Sequence, residues 1–142
     1  EAFTDSSCFE LRFIRPRQLG RRDRVRWIDR RLREQGLVGQ LRLVAPIDSP
    51  MSWVAKVHSP EHIRGIQSIA LDTTLQSTRT IGEVAEVAVA YALGAVRDVM
   101  DGRVHNAFAN IRPPGHHVVN GGYPAGFCAY SNVPAGCRWP PI

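Results

Sequence analysis

The sequence contains few cysteines, a single lysine and no long apolar run. Its three cysteines, Cys8, Cys128 and Cys137, are odd in number and lack Cys-x-x-Cys spacing, which argues against a disulfide framework or a zinc ribbon. No stretch of about eighteen apolar residues occurs, and no basic-then-apolar leader begins the chain. We therefore expect a soluble cytoplasmic protein without a membrane partner, or a nuclear one if the host is eukaryotic. The first residue is Glu1 and not methionine, which indicates a fragment.

The composition is that of a folded domain. The chain has 142 residues, of which 44% are apolar and 22% are charged, so it can bury a core and does not fit a disordered or low-complexity protein. This length corresponds to one domain of ordinary size, or to a piece of a larger one.

The positive charge is concentrated in one segment. Residues 12–33 contain ten arginines and two aspartates, a local net charge of +8, whereas the whole chain carries +5. Clustered arginines can attract phosphate groups, so one hypothesis is a non-catalytic module that binds nucleic acid or another polyanion. The alternative is a solvated helix face, which is favoured because Phe13 and Trp27 are the only aromatic residues of this segment and do not form an interleaved pattern for base stacking.

The residue pattern predicts helices and strands in alternation. Val25, Ile28 and Leu32 have helical spacing within a predicted helix over residues 22–35. Helices are also predicted over 59–68, after a Ser-Pro-Glu start, and over 80–101, after a Thr-x-x-Glu capping box. Apolar runs at 41–47 and 104–111 predict strands. This order favours an α/β domain with a parallel sheet, in which ligand sites follow the carboxyl ends of strands.

A tandem histidine pair follows the second predicted strand, in the segment Arg112-Pro-Pro-Gly-His-His117. The two prolines stiffen the exit from the strand, and Gly115 permits backbone angles that other residues avoid. Neighbouring side chains in an extended segment normally point in opposite directions, so this shaped loop is what could bring both imidazoles to one pocket. We therefore interpret His116 and His117 as active-site candidates.

The block from Ile111 to His117, together with Gly126-Phe-Cys128 and Ser131-Asn-Val133, resembles the histone deacetylase family and its bacterial relatives. The likeness extends upstream to residues 20–37, 57–63 and 71–73. The resemblance implies an arginase/deacetylase-like fold, three α-β-α layers with a parallel sheet, of which this chain is an incomplete N-terminal portion. It divides the chain into an irregular segment (1–19), the N-terminal part of the deacetylase domain (20–133) and an aberrant or truncated tail (134–142).

The resemblance also implies a reaction, the zinc-dependent hydrolysis of acetyl amides on lysine side chains or small amines. His117 would be the general base and acid, and His116 would hydrogen-bond the attacking water. Phe127 would form one wall of a narrow tunnel, with Gly126 accepting a contact from the substrate amide. Asp72 would hold the substrate backbone at the rim. The partners would be an acetylated lysine peptide or an acetylated small amine, and not nucleic acid.

The sequence departs from the family in ways that matter for activity. The family's zinc ligands, an Asp-x-His motif and a later Asp, have no counterpart among these 142 residues, nor has the tyrosine that binds the oxyanion. We therefore expect zinc only in the complete domain, and an inactive fragment here. After Val133 the family continues with an alanine-rich helix, which Pro134 and Gly136 are expected to break.

Two other metal sites can be considered from the sequence. His58-Ser-Pro-Glu-His62 has the letters of an inverted zinc-protease motif, in which both histidines share one helix face. Pro60 can start a helix but not lie inside one, so His58 is expected to precede the helix. A zinc knuckle is also conceivable, although adjacent histidines are poorly spaced for it; its ligands would be His116, His117, Cys128 and Cys137.

Overall fold

A computed structural model describes residues 22–69, 80–118 and 127–140. The helices are α1 (Arg22–Glu34), α2 (Pro50–Val54), α3 (Pro60–Gln67), α4 (Ile81–Met100) and α5 (Asn132–Gly136), with one 3-10 turn at Val38–Gln40. The three helices predicted from the sequence are thus confirmed as α1, α3 and α4, whereas α2 and α5 were not predicted. Within the described ranges no helix is both long and apolar enough to cross a membrane.

Helix α4 is the centre of the fold. Its predicted capping box is present: the Thr80 hydroxyl accepts from the Glu83 backbone N–H at 3.2 Å, and the Glu83 carboxylate accepts from the Thr80 N–H. Small and branched side chains on one face pack against α2, α3 and α5. A core forms there because these helices bury the apolar face of α4; its buried members are Val54, Ile66, Ala85, Val89, Leu93, Ala129, Tyr130 and Ala135.

The segment 41–47 lies directly against α4. Ile47 N–H donates to the Ala90 carbonyl at 3.2 Å, and the Arg97 guanidinium donates to the Ala45 carbonyl at 3.1 Å. Gly94 allows this approach, since a Cβ at that position would run into the Ala45 carbonyl oxygen. The absence of a side chain at Gly94 therefore sets how closely this segment approaches the helix.

The parallel sheet is not confirmed within the described ranges. Residues 41–47 and 104–111 are not assigned as strands, and no described backbone hydrogen bond joins them. A cavity of about 420 Å³ lies between the two segments, and Leu41, Leu43 and Phe108 remain exposed beside it. Apolar runs predict that a segment is suited to a sheet, but a strand also needs a hydrogen-bonded neighbour about 4.8 Å away, and the described residues show no such pairing for either segment.

The expectation that Pro134 and Gly136 break the helix after Val133 is wrong for Pro134, which lies inside a five-residue helix, whereas the helix does end at Gly136. Helix α5 runs from Asn132 through Gly136. Pro134 is tolerated because it lies in the first turn, where a backbone N–H has no partner within the helix. The helix packs against α4 through the fully buried Ala135.

Candidate active site

The histidine loop, residues 112–118, begins with mostly buried residues and exposes its two histidines. Arg112, Pro113 and Gly115 are buried, whereas His116 and His117 are exposed. The two imidazole centroids are 4.2 Å apart, with ring planes inclined by 52°. The loop therefore places the two rings side by side, whereas adjacent side chains of an extended segment would point in opposite directions. Their catalytic roles remain predictions.

Contacts from residues 127–133 fix the histidine loop. The Gly115 carbonyl accepts from Val133 N–H at 3.1 Å, and the His116 N–H donates to the Cys128 Sγ at 3.4 Å. Gly115 lies so close to Asn132 that a Cβ would collide with its side chain. Glycine is needed here for close packing, and the histidine loop and α5 consequently share one interface.

Phe127, which was predicted to form the tunnel wall, lies within the described residues. It is half-buried, and its φ of 72° lies in the left-handed region that favours glycine. A bulky residue held there is strained, and such strain is found often at functional sites. Asp72 and Gly126, the other two predicted substrate contacts, lie outside the described residues.

A second histidine pair, which the sequence analysis did not place in the site, contacts the main chain that follows Cys128. The rings of His58 and His62 stack with centroids 4.5 Å apart. His58 Nε2 accepts from the Ser131 N–H at 2.9 Å, and His62 Nε2 lies 2.8 Å from the Ala129 carbonyl. We call these two residues the histidine stack. No sequence signal could have found these bonds, because they join residues 73 and 67 positions apart.

The histidine stack is not the inverted zinc-protease site. Ser59 caps α3 by accepting from the His62 N–H at 3.3 Å, and Pro60 is the first helical residue, so His58 precedes the helix as expected. Each Nε2 atom is already engaged by the main chain. These nitrogens are therefore not available as metal ligands in this arrangement.

Burial sets the charge state of this region. Desolvation, followed by the neighbouring His62, lowers the pKa of His58 to about 4. Desolvation, followed by the charge of Glu86, raises the pKa of Tyr130 to about 12. His58 and Tyr130 are thus both neutral at pH 7, which suits groups that pack under a site better than groups that transfer protons.

The described residues do not fit a zinc ion. They contain no group of three or more His, Cys, Asp or Glu side chains placed to hold a metal. The Sγ atom of Cys128, a candidate ligand of the zinc knuckle, is buried and accepts the His116 N–H. Catalytic zinc takes about three protein ligands, and the exposed histidine pair offers at most two.

An apolar cavity of about 690 Å³ opens beside His116. It lies between α4, the segment 107–111 and α5, and the side chain of Cys137 borders it. Most of its lining residues are apolar, with alanine and valine the most frequent. One of the two candidate catalytic histidines therefore lines a space large enough for a small organic group.

Comparisons with known proteins agree with the motif. The family model described as the histone deacetylase domain matches residues 19–138. Histone deacetylase HDA1 of Candida albicans is 34% identical over 109 residues, which are 68% of this chain and 13% of that protein. A probable deacetylase of Archaeoglobus fulgidus is 31% identical over 128 residues, covering 84% of this chain and 35% of that protein. Polyamine deacetylase HDAC10 of Rattus norvegicus is 31% identical over 121 residues, covering 75% and 20%.

The fold is similar to that of a solved deacetylase domain. The crystal structure of the HDA15 HD domain aligns with 94% of this chain at a TM-score of 0.72 and 24% identity. This chain covers 42% of that domain and about a third or less of the length of the three relatives named above.

Proposed function

The chain belongs to the histone deacetylase family, and we propose that the complete domain hydrolyses an acetyl amide on a lysine side chain or a small amine. The observation that carries this proposal is the pair of exposed imidazoles, with centroids 4.2 Å apart on an anchored loop. Amide hydrolysis needs a group that takes a proton from water and returns it to the leaving amine. Neutral imidazole near pH 7 performs both steps.

The two histidines have different roles in this proposal. His117 takes the proton from the attacking water and later gives it to the amine. His116 hydrogen-bonds the same water and stabilises charge as it develops. Both rings are exposed on the described surface, and the backbone behind them is held by the Cys128 and Val133 contacts. This supports a site whose rings can reach substrate without loss of position.

The substrate contacts follow from the same proposal. Phe127 forms one wall of the passage for the acetylated amine stem, and Gly126 accepts a contact from the substrate amide. Asp72 binds backbone amides of a peptide substrate at the rim. Asp72→Ala would then weaken acetyl-lysine peptides more than acetylated small amines, because only a peptide presents backbone amides. Equal losses for both substrates would refute that role.

We place the zinc ligands of the complete domain in sequence beyond residue 142. The isolated chain then lacks deacetylase activity and a tight zinc site, because it has no Asp-x-His motif and no described metal cluster. We propose further that residues 41–47 and 104–111 become strands of a parallel sheet in the complete domain, once neighbouring strands pair with them. We also propose that the protein is located in the cytoplasm.

The experiment compares the isolated chain with the complete domain. Bound zinc is measured by elemental analysis, and hydrolysis of an acetyl-lysine peptide and an acetylated polyamine is followed with added zinc. The expected result is turnover by the complete domain alone, abolished by a chelator. Turnover by the isolated chain with one tightly bound zinc would show that its own residues hold the metal and would reopen the zinc knuckle.

The polyanion-binding alternative finds less support. Several arginines of α1 are engaged within the helix, since Arg33 pairs with Asp29 at 3.0 Å and Arg30 lies over the Trp27 ring at 4.9 Å. Exposed pairs of this kind contribute little stability, but they hold these two guanidinium groups in contacts within the helix. Steep loss of affinity with salt would be the signature of polyanion binding.

A further inference from the structure

We propose that His58 and His62 are positioning residues for the deacetylase reaction, holding the main chain from Ala129 to Ser131, which follows Phe127 and is hydrogen-bonded to the histidine loop. The inference rests on the proposed function, but its first step is a property of this chain alone. It begins from the two hydrogen bonds of the histidine stack, to Ser131 N–H at 2.9 Å and to the Ala129 carbonyl at 2.8 Å. Both bonds hold the backbone that directly follows Cys128.

The bonds require opposite tautomers in the two stacked rings. Because the Ser131 N–H is a donor, His58 Nε2 must accept, so its proton lies on Nδ1, a buried atom for which the described residues offer no hydrogen-bond partner. Because the Ala129 carbonyl is an acceptor, His62 Nε2 must carry a proton and donate. The Ala129 carbonyl thus meets a donor, and the Ser131 N–H two residues later meets an acceptor. Neither ring can exchange its role without leaving a main-chain group unpaired.

The segment that the histidine stack holds is hydrogen-bonded to the histidine loop. The Ser131 hydroxyl donates to the Val118 carbonyl at 3.1 Å, and Val118 is the residue after His117. Two residues before Val118, the His116 N–H donates to the Cys128 Sγ at 3.4 Å. The histidine stack therefore fixes a segment that contacts the loop at His116 and at Val118.

The histidine stack acts through structure and not through proton transfer. His58 is 6% exposed, and its ring lies against the rings of His62 and Tyr130. No described contact joins either ring of the histidine stack to the ring of His116 or His117. Loss of His58 should consequently displace the reacting groups without changing which group titrates in catalysis.

The first test reads the tautomers in the 142-residue chain by nitrogen-15 NMR of the histidine rings. We expect His58 to carry its proton on Nδ1 and His62 on Nε2, and the Ser131 amide to exchange slowly with solvent. The exposed His105 is the internal control and should show averaged tautomers. The same tautomer in both stacked rings, or averaged shifts like those of His105, would overturn the inference whatever the activity of the domain.

The second test uses the complete domain and two substitutions at one position. His58→Leu removes the acceptor and should lower kcat by about ten-fold to a hundred-fold. His58→Gln keeps an acceptor near the Nε2 position and should restore most of kcat, and His105→Gln is the matched control. The pH-rate profile of His58→Leu should keep the shape of the parent profile, because the proton-transfer group is elsewhere.

The outcomes separate the inference from the proposed function. Loss of an ionisation from the pH-rate profile of His58→Leu, or equal kcat for His58→Leu and the parent, would overturn the positioning role while leaving the deacetylase intact. A complete domain without hydrolysis, but with the predicted tautomers and a protected Ser131 amide, would overturn the proposed function. In that case the histidine stack would hold the same loop without serving this reaction.

Discussion

The indole of Trp139 stacks on the indole of Trp53, with centroids 4.6 Å apart and planes inclined by 12°. The ammonium of Lys56 lies 3.6 Å from the centroid of the Trp53 ring, so Trp53 is packed by two partners. Trp139 lies in the segment 134–142, to which the sequence analysis gave no structural role. The contact ties the end of the described chain to α2, and both indoles pack against the core.

This stack predicts a difference between two tryptophan substitutions. Trp139→Ala should lower the free energy of unfolding by about 2 kcal/mol, because it removes a stacked, half-buried ring. Trp27→Ala is the matched control, since Trp27 is 63% exposed on α1, and it should change stability by about 0.5 kcal/mol. Urea unfolding of both variants is the measurement. Equal losses would mean that the Trp53 contact contributes nothing.

Gly115 provides the second prediction. Gly115→Ala should destabilise the protein by about 1 to 3 kcal/mol, because its Cβ would collide with Asn132. Gly65→Ala, in helix α3 with open space around it, should instead stabilise by about 0.5 to 1 kcal/mol through helix propensity. Thermal unfolding of the two variants checks the sign of each change. A neutral Gly115→Ala would show that the histidine loop and α5 are not tightly packed.

The buried His58 predicts a pH dependence of stability. Its pKa is about 4 in the folded protein and 6.5 ordinarily, so the unfolded chain binds the extra proton between these values. Unfolding free energy should therefore fall as the pH drops from about 6.5 to 4, by on the order of 2 kcal/mol, and this term should not change above pH 7. His58→Gln should flatten this dependence. Urea unfolding at pH 4.5 and at pH 7 gives the free energy of unfolding of the parent and of the variant. The same change in this free energy with pH in both proteins would contradict a neutral buried ring.

Local sequence signals predicted the helices well. The capping box at Thr80 and the Ser-Pro start at residue 59 depend on residues three or four positions apart, and both occur as expected. The strands at 41–47 and 104–111 were not confirmed, because a strand depends on partners elsewhere in the domain. Asn110 illustrates the difference: its polar side chain weakened the strand pattern, yet it is buried and donates to the Val25 carbonyl at 3.0 Å.

In the candidate site too, features that depend on neighbouring residues were predictable and contacts between distant residues were not. The proline-proline-glycine motif predicted that both imidazoles could reach one pocket; their centroids are 4.2 Å apart, but of the two only His116 lines the cavity between α4 and α5. The supporting contacts were beyond prediction, since His58 and Ser131 are separated by 73 positions. Single-sequence patterns report chemistry carried by neighbouring residues. They do not report which distant backbone groups a buried ring will bind.

The most direct test of the account is the turnover of His117→Ala in the complete domain. We predict that kcat for an acetyl-lysine peptide falls by about a hundred-fold or more, the range for loss of a general acid-base group. His116→Ala should lose less, and His105→Ala, an exposed histidine away from the pair, should match the parent. Near-normal kcat for His117→Ala, with the protein folded, would contradict the assignment of the histidine pair as the proton-transfer site.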